Sequence, residues 1–324
     1  MSQQPKILLL CHNRMAIPAL QYLHREQVLA TVAVPDLYDF IHQPFRELAH
    51  QLHVPFVTLN KSSYRNEVTN LMHSLQPDAV FVISFPWLIP VNELSQCPYG
   101  FLNFHGGLLP EMRGSDPMFH CIRNSIYETG LTIHQMNEGV DTGDIVLQEK
   151  IAIGTETTHG MLSSQIAYAC EKSAKALLAQ IRTGEPLAKT RQDETNAAYI
   201  PKPIPEDTFI NWETMTAIQV KALVNACNPQ LKGATTIYNN WQFGVTHVTE
   251  INLSGDDGRI LPGTILYNDP EKGLIVYCKD GKAVRLDIAY TEEGYLPGYR
   301  LAMFGLAPGT PFMNITPLPV GEPA

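Results

Sequence analysis

The sequence predicts an α/β fold: a Rossmann-like, mostly parallel sheet with helices on both faces, followed by a smaller C-terminal β-barrel (OB-like) domain. Three observations carry this expectation. From residue 6 to about residue 150, apolar runs of strand length alternate with segments of helical spacing, the pattern of β-α-β units. Two of these runs, Lys6 to Cys11 and Asp78 to Ser84, are almost continuously apolar, as strands buried on both faces are. Beyond a polar stretch ending Pro201-Lys202-Pro203-Ile204-Pro205, short strand-like runs are separated by Gly, Asp, Asn and Pro turns. The expected organisation is a first domain over 1–188, a linker over 189–206 and a β-rich barrel domain over 207–324.

The elements follow in order. After the first strand, His12-Asn13-Arg14 turns the chain, and Pro18 fits the first turn of a helix through Leu20 and Leu23. Leu29 to Val34 reads as a strand stopped by Pro35, the next ten residues as a loop, Phe45 to Leu52 as a helix and Val54 to Leu59 as a strand. Ser63 is placed to cap a helix reaching Leu75. Phe101 to His105 is a fifth strand, broken by Gly106-Gly107. A short helix is expected from Ser115 to about Ile126, then strands over Leu131 to Met136 and Ile145 to Ile151, and a helix over Met161 to Ile181. In the second half a helix near Thr216 to Ala226 precedes strands over Val245 to Leu253, Gly263 to Tyr267, Gly273 to Cys278 and Ala283 to Tyr290.

Composition excludes several classes. With 44% hydrophobic and 17% charged residues the chain is an ordinary globular protein, neither disordered nor fibrous. No window reaches the length of a membrane span, and the short run Ile7 to Leu10 is no signal-peptide core, so a cytoplasmic location and no membrane partner are expected. The six cysteines are scattered singly, without zinc-ligand spacing, which favours reduced thiols and no metal. The net charge of -9 argues against a large polyanionic partner. The first strand is followed by His12-Asn13-Arg14-Met15 and not by G-x-G-x-x-G, so dinucleotide binding does not follow from the fold.

One strand end carries chemistry. Asn103 and His105 are two residues apart, so on a strand they share a face, and they sit at the carboxyl end, where such sheets bind ligands. The Phe85-Pro86-Trp87-Leu88-Ile89-Pro90 loop follows the neighbouring strand and should border the same crevice. A single histidine at a strand end is more often a hydrogen-bonded structural residue than a catalyst, and Trp87 alone is more often packing than a ligand contact. His120 and His134 lack metal-ligand spacing with His105 and read as structural. Asp141-Thr142-Gly143 taken alone suits a turn or an aspartic protease, but the α/β pattern is wrong for the latter.

Asn103-x-His105, Leu108-Leu109-Pro110, Arg113-Gly114 and Gly139-Val140-Asp141-Thr142-Gly143, in that order and spacing, resemble the 10-formyltetrahydrofolate-dependent formyltransferases. The resemblance covers most of residues 1 to 185. Ala198 to Pro203, Asn211-Trp212 and the β-rich tail look like the longer members of that family. It implies 10-formyltetrahydrofolate as formyl donor and an amine as acceptor, with no metal. Asn103 would donate to the oxyanion, His105 would carry the proton, and Asp141 would orient or support the imidazole. Trp87, Leu88 and Ile89 would give backbone contacts to the pterin, with Asn137, Glu138, Gly139 and Val140 closing its other side. One departure stands out: Gly107 occupies a position where the family usually has serine, which puts a hydroxyl contact there in doubt.

The acceptor is the open question. From Pro201 onward nine Lys/Arg face thirteen Asp/Glu, a net charge of -4, and the segment Val34 to Gln43 has no Lys or Arg. Initiator tRNA would call for a basic surface. The expected acceptor is therefore a small-molecule amine, such as a nucleotide-linked amino sugar, with Tyr38 and Phe40 available to stack on a base or sugar. Methionyl-tRNA formylation is the alternative, with formyltetrahydrofolate hydrolysis and non-catalytic folate binding behind it. An oligomer is compatible with the sequence.

Overall fold

A computed structural model describes residues 4–89, 96–229, 231–253 and 259–314. Two compact units divide the chain. One comprises Met1–Pro117, Glu128–Ala152 and Ser163–Pro201; the other comprises Met118–Tyr127, Ile153–Leu162 and Lys202–Ala324.

The first unit is built on β1 (Ile7–Cys11), α1 (Ile17–Arg25), β2 (Leu29–Pro35), α2 (Asp39–Gln51), β3 (Phe56–Leu59), α3 (Tyr64–Leu75), β4 (Ala79–Ile83) and β5 (Phe101–His105). These are followed by β6 (Arg113–Gly114), then, after α4 (Pro117–Arg123), which from Met118 on belongs to the second unit, by β7 (Glu128–Gln135), β8 (Ile145–Ala152), α5 (His159–Ile181), in this unit from Ser163 on, and β9 (Tyr199–Ile200). The main sheet has the order β3-β2-β1-β4-β5-β7-β8, parallel from β3 to β5 and antiparallel at β5–β7 and β7–β8. Strand order reverses between β1 and β4, so a crevice opens at the carboxyl ends of β1, β4 and β5. One face explains the site. Leu8, Leu10, Val80, Val82 and Phe101 are buried against Val68 and Met72 of α3. On β5 the same face turns polar at the carboxyl end, where Phe101 is followed by Asn103 and His105. The mostly parallel sheet is as the sequence predicts.

Boundaries differ where tertiary packing overrides local signals. α2 begins at Asp39 and carries Pro44 inside it, so the expected loop is largely the first turns of a helix. Pro44 is the sixth residue of the helix, past the orphan N–H groups of the first turn, so it cannot donate to the Phe40 carbonyl and the helix forms in spite of it. β7 starts at Glu128, three residues early, because its whole length pairs with β8. α4 stops at Arg123, with Ser125 at a positive φ. Residues 189–200 are also no free spacer: Thr190 bridges Ile145, and β9 pairs in parallel with β6.

The second unit contains α6 (Ala217–Cys227), capped by a reciprocal Thr216–Gln219 box, and an antiparallel sheet. Its strands are β10 (Ala234–Tyr238), β11 (Trp241–Ile251), β12 (Ile265–Asp269), β13 (Gly273–Tyr277), β14 (Ala283–Thr291) and β15 (Gly294–Pro297), in the order β10-β11-β14-β13-β12 with β15 on β14. β10 and β15 are strands that the sequence reading missed; both are short and lie in turn-rich segments. The two edges are bridged by residues 311–313: Pro311 pairs with Thr264 and Met313 with Ile237. Trp212 is fully buried here, stacks on Phe312 with centroids 5.3 Å apart, and donates its indole N–H to Thr236 Oγ1 at 2.9 Å. All six cysteines are buried and free. Among the described residues no helix is long and apolar enough to cross a membrane.

Candidate active site

Antiparallel pairing of β5 with β7 sets Asn103 directly opposite His134 and His105 opposite Thr132. Opposed residues on one face lie within side-chain reach. The Asn137–Asp144 loop then folds back so that Asp141, at φ 55°, presents its carboxylate to this pair. Oδ2 stands 3.6 Å from His105 Nδ1, and Oδ1 stands 3.3 Å from both His134 Nε2 and Asn103 Nδ2. The Gly114 N–H donates to Oδ2 at 3.0 Å.

The glycines of the two motifs have separate reasons. A Cβ on Gly114 (φ 111°) would lie 2.2 Å from the Ile200 carbonyl oxygen, so β9 could not approach β6. A Cβ on Gly143 would lie 1.6 Å from the Gln135 carbonyl oxygen. Gly107 stands beneath Pro117 and Met112, whose Cβ atoms a side chain would meet at 2.8 and 3.0 Å. The absence of the usual serine is thus matched by packing against these neighbours.

His105 and Asp141 each have a defined state. His105 Nε2 lies 2.6 Å from the Met112 carbonyl oxygen, an acceptor only, so Nε2 carries the proton and donates. The free lone pair is therefore on Nδ1, the atom that faces Asp141. Burial pushes the His105 pKa below its ordinary 6.5, and the Asp141 charge partly opposes this. Burial acts to raise the Asp141 pKa, but the hydrogen bond with His134, the nearby His105 and the Gly114 N–H outweigh it and hold the carboxyl at about 2. His134 Nδ1 is 3.3 Å from the Gln135 carbonyl oxygen and Nε2 is 3.0 Å from Asn103 Nδ2. Asn103 Nδ2 donates to Asp141 Oδ1, and the His134 Nε2–H is the group that can donate to the same oxygen, so Nε2 meets both the carboxylate and the Asn103 amide.

Of the sequence-predicted residues, Asn103, His105 and Asp141 converge. Asn137 stabilises its own loop, its Oδ1 accepting from the Gly139 N–H at 3.1 Å and the Thr142 hydroxyl at 2.7 Å. Glu138, Gly139 and Val140 are exposed on this loop. Trp87 packs on Tyr64 at 4.8 Å and on Phe85 edge-on, in an apolar cluster that also holds Ile89 and Met136. The loop after β4 and the start of the 137–140 loop therefore share one cluster. Leu88 is exposed, and its carbonyl accepts from the Tyr64 hydroxyl at 2.9 Å. Pro90 lies outside the described residues. His134, expected to be structural, stands inside the site. The alternation of Thr132 and His134 with Leu131 and Ile133 was its visible signal, but only the antiparallel register turns that alternation towards Asn103. Arg113 and Gln192, also buried here, had no assigned part. Among the described residues no group of three His, Cys, Asp or Glu is arranged to hold a metal ion.

This geometry is accompanied by a match over most of the chain. Residues 15–178 match the formyl transferase family and residues 203–294 match the formyl transferase C-terminal domain. The chain belongs to the formyltransferase family. The methionyl-tRNA formyltransferase of Carboxydothermus hydrogenoformans is 30% identical over 294 residues, covering 87% of this chain and 92% of that protein. Among solved structures, WlaRD, a sugar 3N-formyl transferase crystallised with dTDP and 5-N-formyl-THF, superposes with a TM-score of 0.63 at 19% identity, over 87% of this chain and 97% of that one. The N-formyltransferase of Helicobacter canadensis, in complex with folinic acid and dTDP-3-aminofucose, gives a TM-score of 0.64 at 18% identity, over 86% and 98%. These two show that this formyltransferase shares their fold.

Proposed function

We propose that this formyltransferase moves the formyl group of 10-formyltetrahydrofolate to the primary amine of a small acceptor, such as a nucleotide-linked amino sugar. The observation that carries the formyl-transfer reading is the buried His105 with Nε2 tied to Met112 and its lone pair on Nδ1 facing Asp141. Nδ1 takes the proton released as the amine adds to the formyl carbon. The imidazolium so formed meets the Asp141 carboxylate, which is already ionised at neutral pH. Asn103 exchanges its bond to Asp141 for one to the oxyanion developing on the formyl oxygen, a contact typically worth about 3 kcal/mol. His105 then returns its proton to the departing N10 as the carbon–nitrogen bond to the donor breaks. The apolar cluster that holds Phe85, Trp87 and Met136 suits a flat pterin ring.

For the acceptor, the observation that favours a small amine is charge: net -4 from Pro201 onward, with no Lys or Arg over Val34 to Gln43. Within that segment Tyr38 and Phe40 are exposed and stacked on one another at 5.4 Å. The names of the curated relatives favour initiator tRNA as second reading. A panel of charged initiator tRNA and amino-sugar nucleotides, assayed with 10-formyltetrahydrofolate, separates them. Efficient formylation of the tRNA alone overturns the small-amine reading. Formate release at a catalytic rate without any acceptor overturns transfer itself.

A further inference from the structure

Gln192 lies in the segment that the sequence marks as a linker, yet it is 5% exposed and its amide is saturated. Its Oε1 accepts from Arg113 Nε at 3.1 Å and Nη2 at 2.9 Å. Its Nε2 donates to the carbonyls of Asp141 at 2.8 Å and Gly143 at 2.7 Å. A primary amide offers two donors and two good acceptor directions, and all four are used. Arg113 is 1% exposed, is closed on its other side by Glu194 through Nη1 at 2.9 Å and Nη2 at 2.7 Å, and lies over the Tyr199 ring. Glu194 thus neutralises the buried guanidinium, while Gln192 passes its polarisation to the Asp141 loop without adding charge.

Asp141 needs such a clamp. Its φ of 55° is a left-handed conformation, which aspartate enters more readily than most residues but which still leaves the loop to be held in place. Arg113-Gly114 supplies both jaws: the Gly114 N–H takes the carboxylate, and Arg113 takes the backbone carbonyl through Gln192. We infer that Gln192 is a positioning residue for formyl transfer, tying the Arg113–Glu194 pair to the Asp141 backbone so that the carboxylate stays opposite His105 Nδ1. This rests on the assignment of His105 and Asp141 as the proton-handling pair. The groups facing Asp141 are His105 and His134; those facing Gln192 are Arg113, with Glu194 and Tyr199 behind it.

The test compares Gln192→Met, which keeps length and removes all four bonds and on which the pH profile is read, with Gln192→Glu, which keeps the acceptor for Arg113 but turns a charged carboxylate oxygen toward the Asp141 and Gly143 carbonyls and is read for kcat and folding only. Steady-state kinetics across pH, with His105→Ala alongside, are read together with circular dichroism and urea denaturation. Displacement of a reacting group by about 1 Å costs on the order of 100-fold. The expected result is a loss of about that size in kcat in both variants, with acceptor KM little changed. The acid limb of the kcat profile of Gln192→Met should move to lower pH, because His105 loses the carboxylate that supports its charged form. A purely structural Gln192 would lower the folded fraction and leave that limb in place; this result, or wild-type kcat in folded Gln192→Glu, overturns the inference. Turnover surviving in His105→Ala would instead overturn the assignment of the pair.

Discussion

His105 and Asp141 face each other across 3.6 Å from Nδ1 to Oδ2, while the opposite ring nitrogen of His105 is held by the Met112 carbonyl at 2.6 Å. This leaves Nδ1 as the ring nitrogen with the free lone pair and sets a carboxylate opposite it.

The first prediction is a pH profile. In the proposed mechanism His105 acts in its neutral form, and burial lowers its pKa below 6.5, so kcat should be at its plateau at pH 7 and fall only below pH 6.5. Asp141→Asn removes the charge that raises this pKa, so its acid limb should lie at still lower pH, with kcat reduced about 100-fold or more. An acid limb that moves to higher pH in this variant contradicts the arrangement.

A second expectation concerns stability. Asp141 holds a pKa of about 2 against 3.8 for the ordinary group. Because the folded-state pKa is the lower one, its contribution is present above pH 3.8 and is lost as pH falls towards 2. That difference is worth roughly 2 kcal/mol. Urea titrations of wild type and Asp141→Asn should therefore differ by about that amount at pH 7 and converge near pH 2. A constant gap across this range excludes the linkage.

Gly107→Ser, which restores the residue usual in the family, should destabilise and not improve the protein. Its Cβ would stand 2.8 Å from Pro117 Cβ and 3.0 Å from Met112 Cβ. Overpacking of this kind costs about 1–3 kcal/mol. Denaturation and kcat are measured together; unchanged stability would show that Pro117 and Met112 yield easily.

Gly143→Ala tests the loop from the other side. The new methyl would meet the Gln135 carbonyl oxygen, so the Asp141 turn must shift. Folded protein with kcat lowered about 100-fold is expected. Wild-type kcat would mean that the turn can move without disturbing His105.

In the second unit, Trp212→Ala should cost about 3–5 kcal/mol by emptying the space beside Phe312. Trp212→Phe should cost less, about 1–3 kcal/mol, chiefly because the Thr236 hydroxyl loses its indole partner. Equal losses in the two variants would mean that the hydrogen bond contributes nothing.

Much of this site was legible in the sequence because its signals are local. Asn103 and His105 are two apart on an apolar strand, so period two alone places them on one face. The glycines after them and in Val140-Asp141-Thr142-Gly143 mark where the backbone must turn. His134 was not legible in this way, because β7 takes its register from hydrogen bonding to β5 and β8, and a slip of one residue would turn His134 to the other face. The same limit hid the first turns of α2 behind Pro44.

The sequence by itself determined the parallel sheet, the β-rich second half and the strand on which Asn103 and His105 share a face, since each follows from the spacing of residues along a few neighbours. Only the tertiary structure decided which ring nitrogen of His105 is free, that His134 joins Asn103 and Asp141, and that Gln192, some 50 residues from Asp141 along the chain, fastens its backbone. Those relationships depend on hydrogen bonds between segments far apart in sequence, and no local pattern encodes the distance between them.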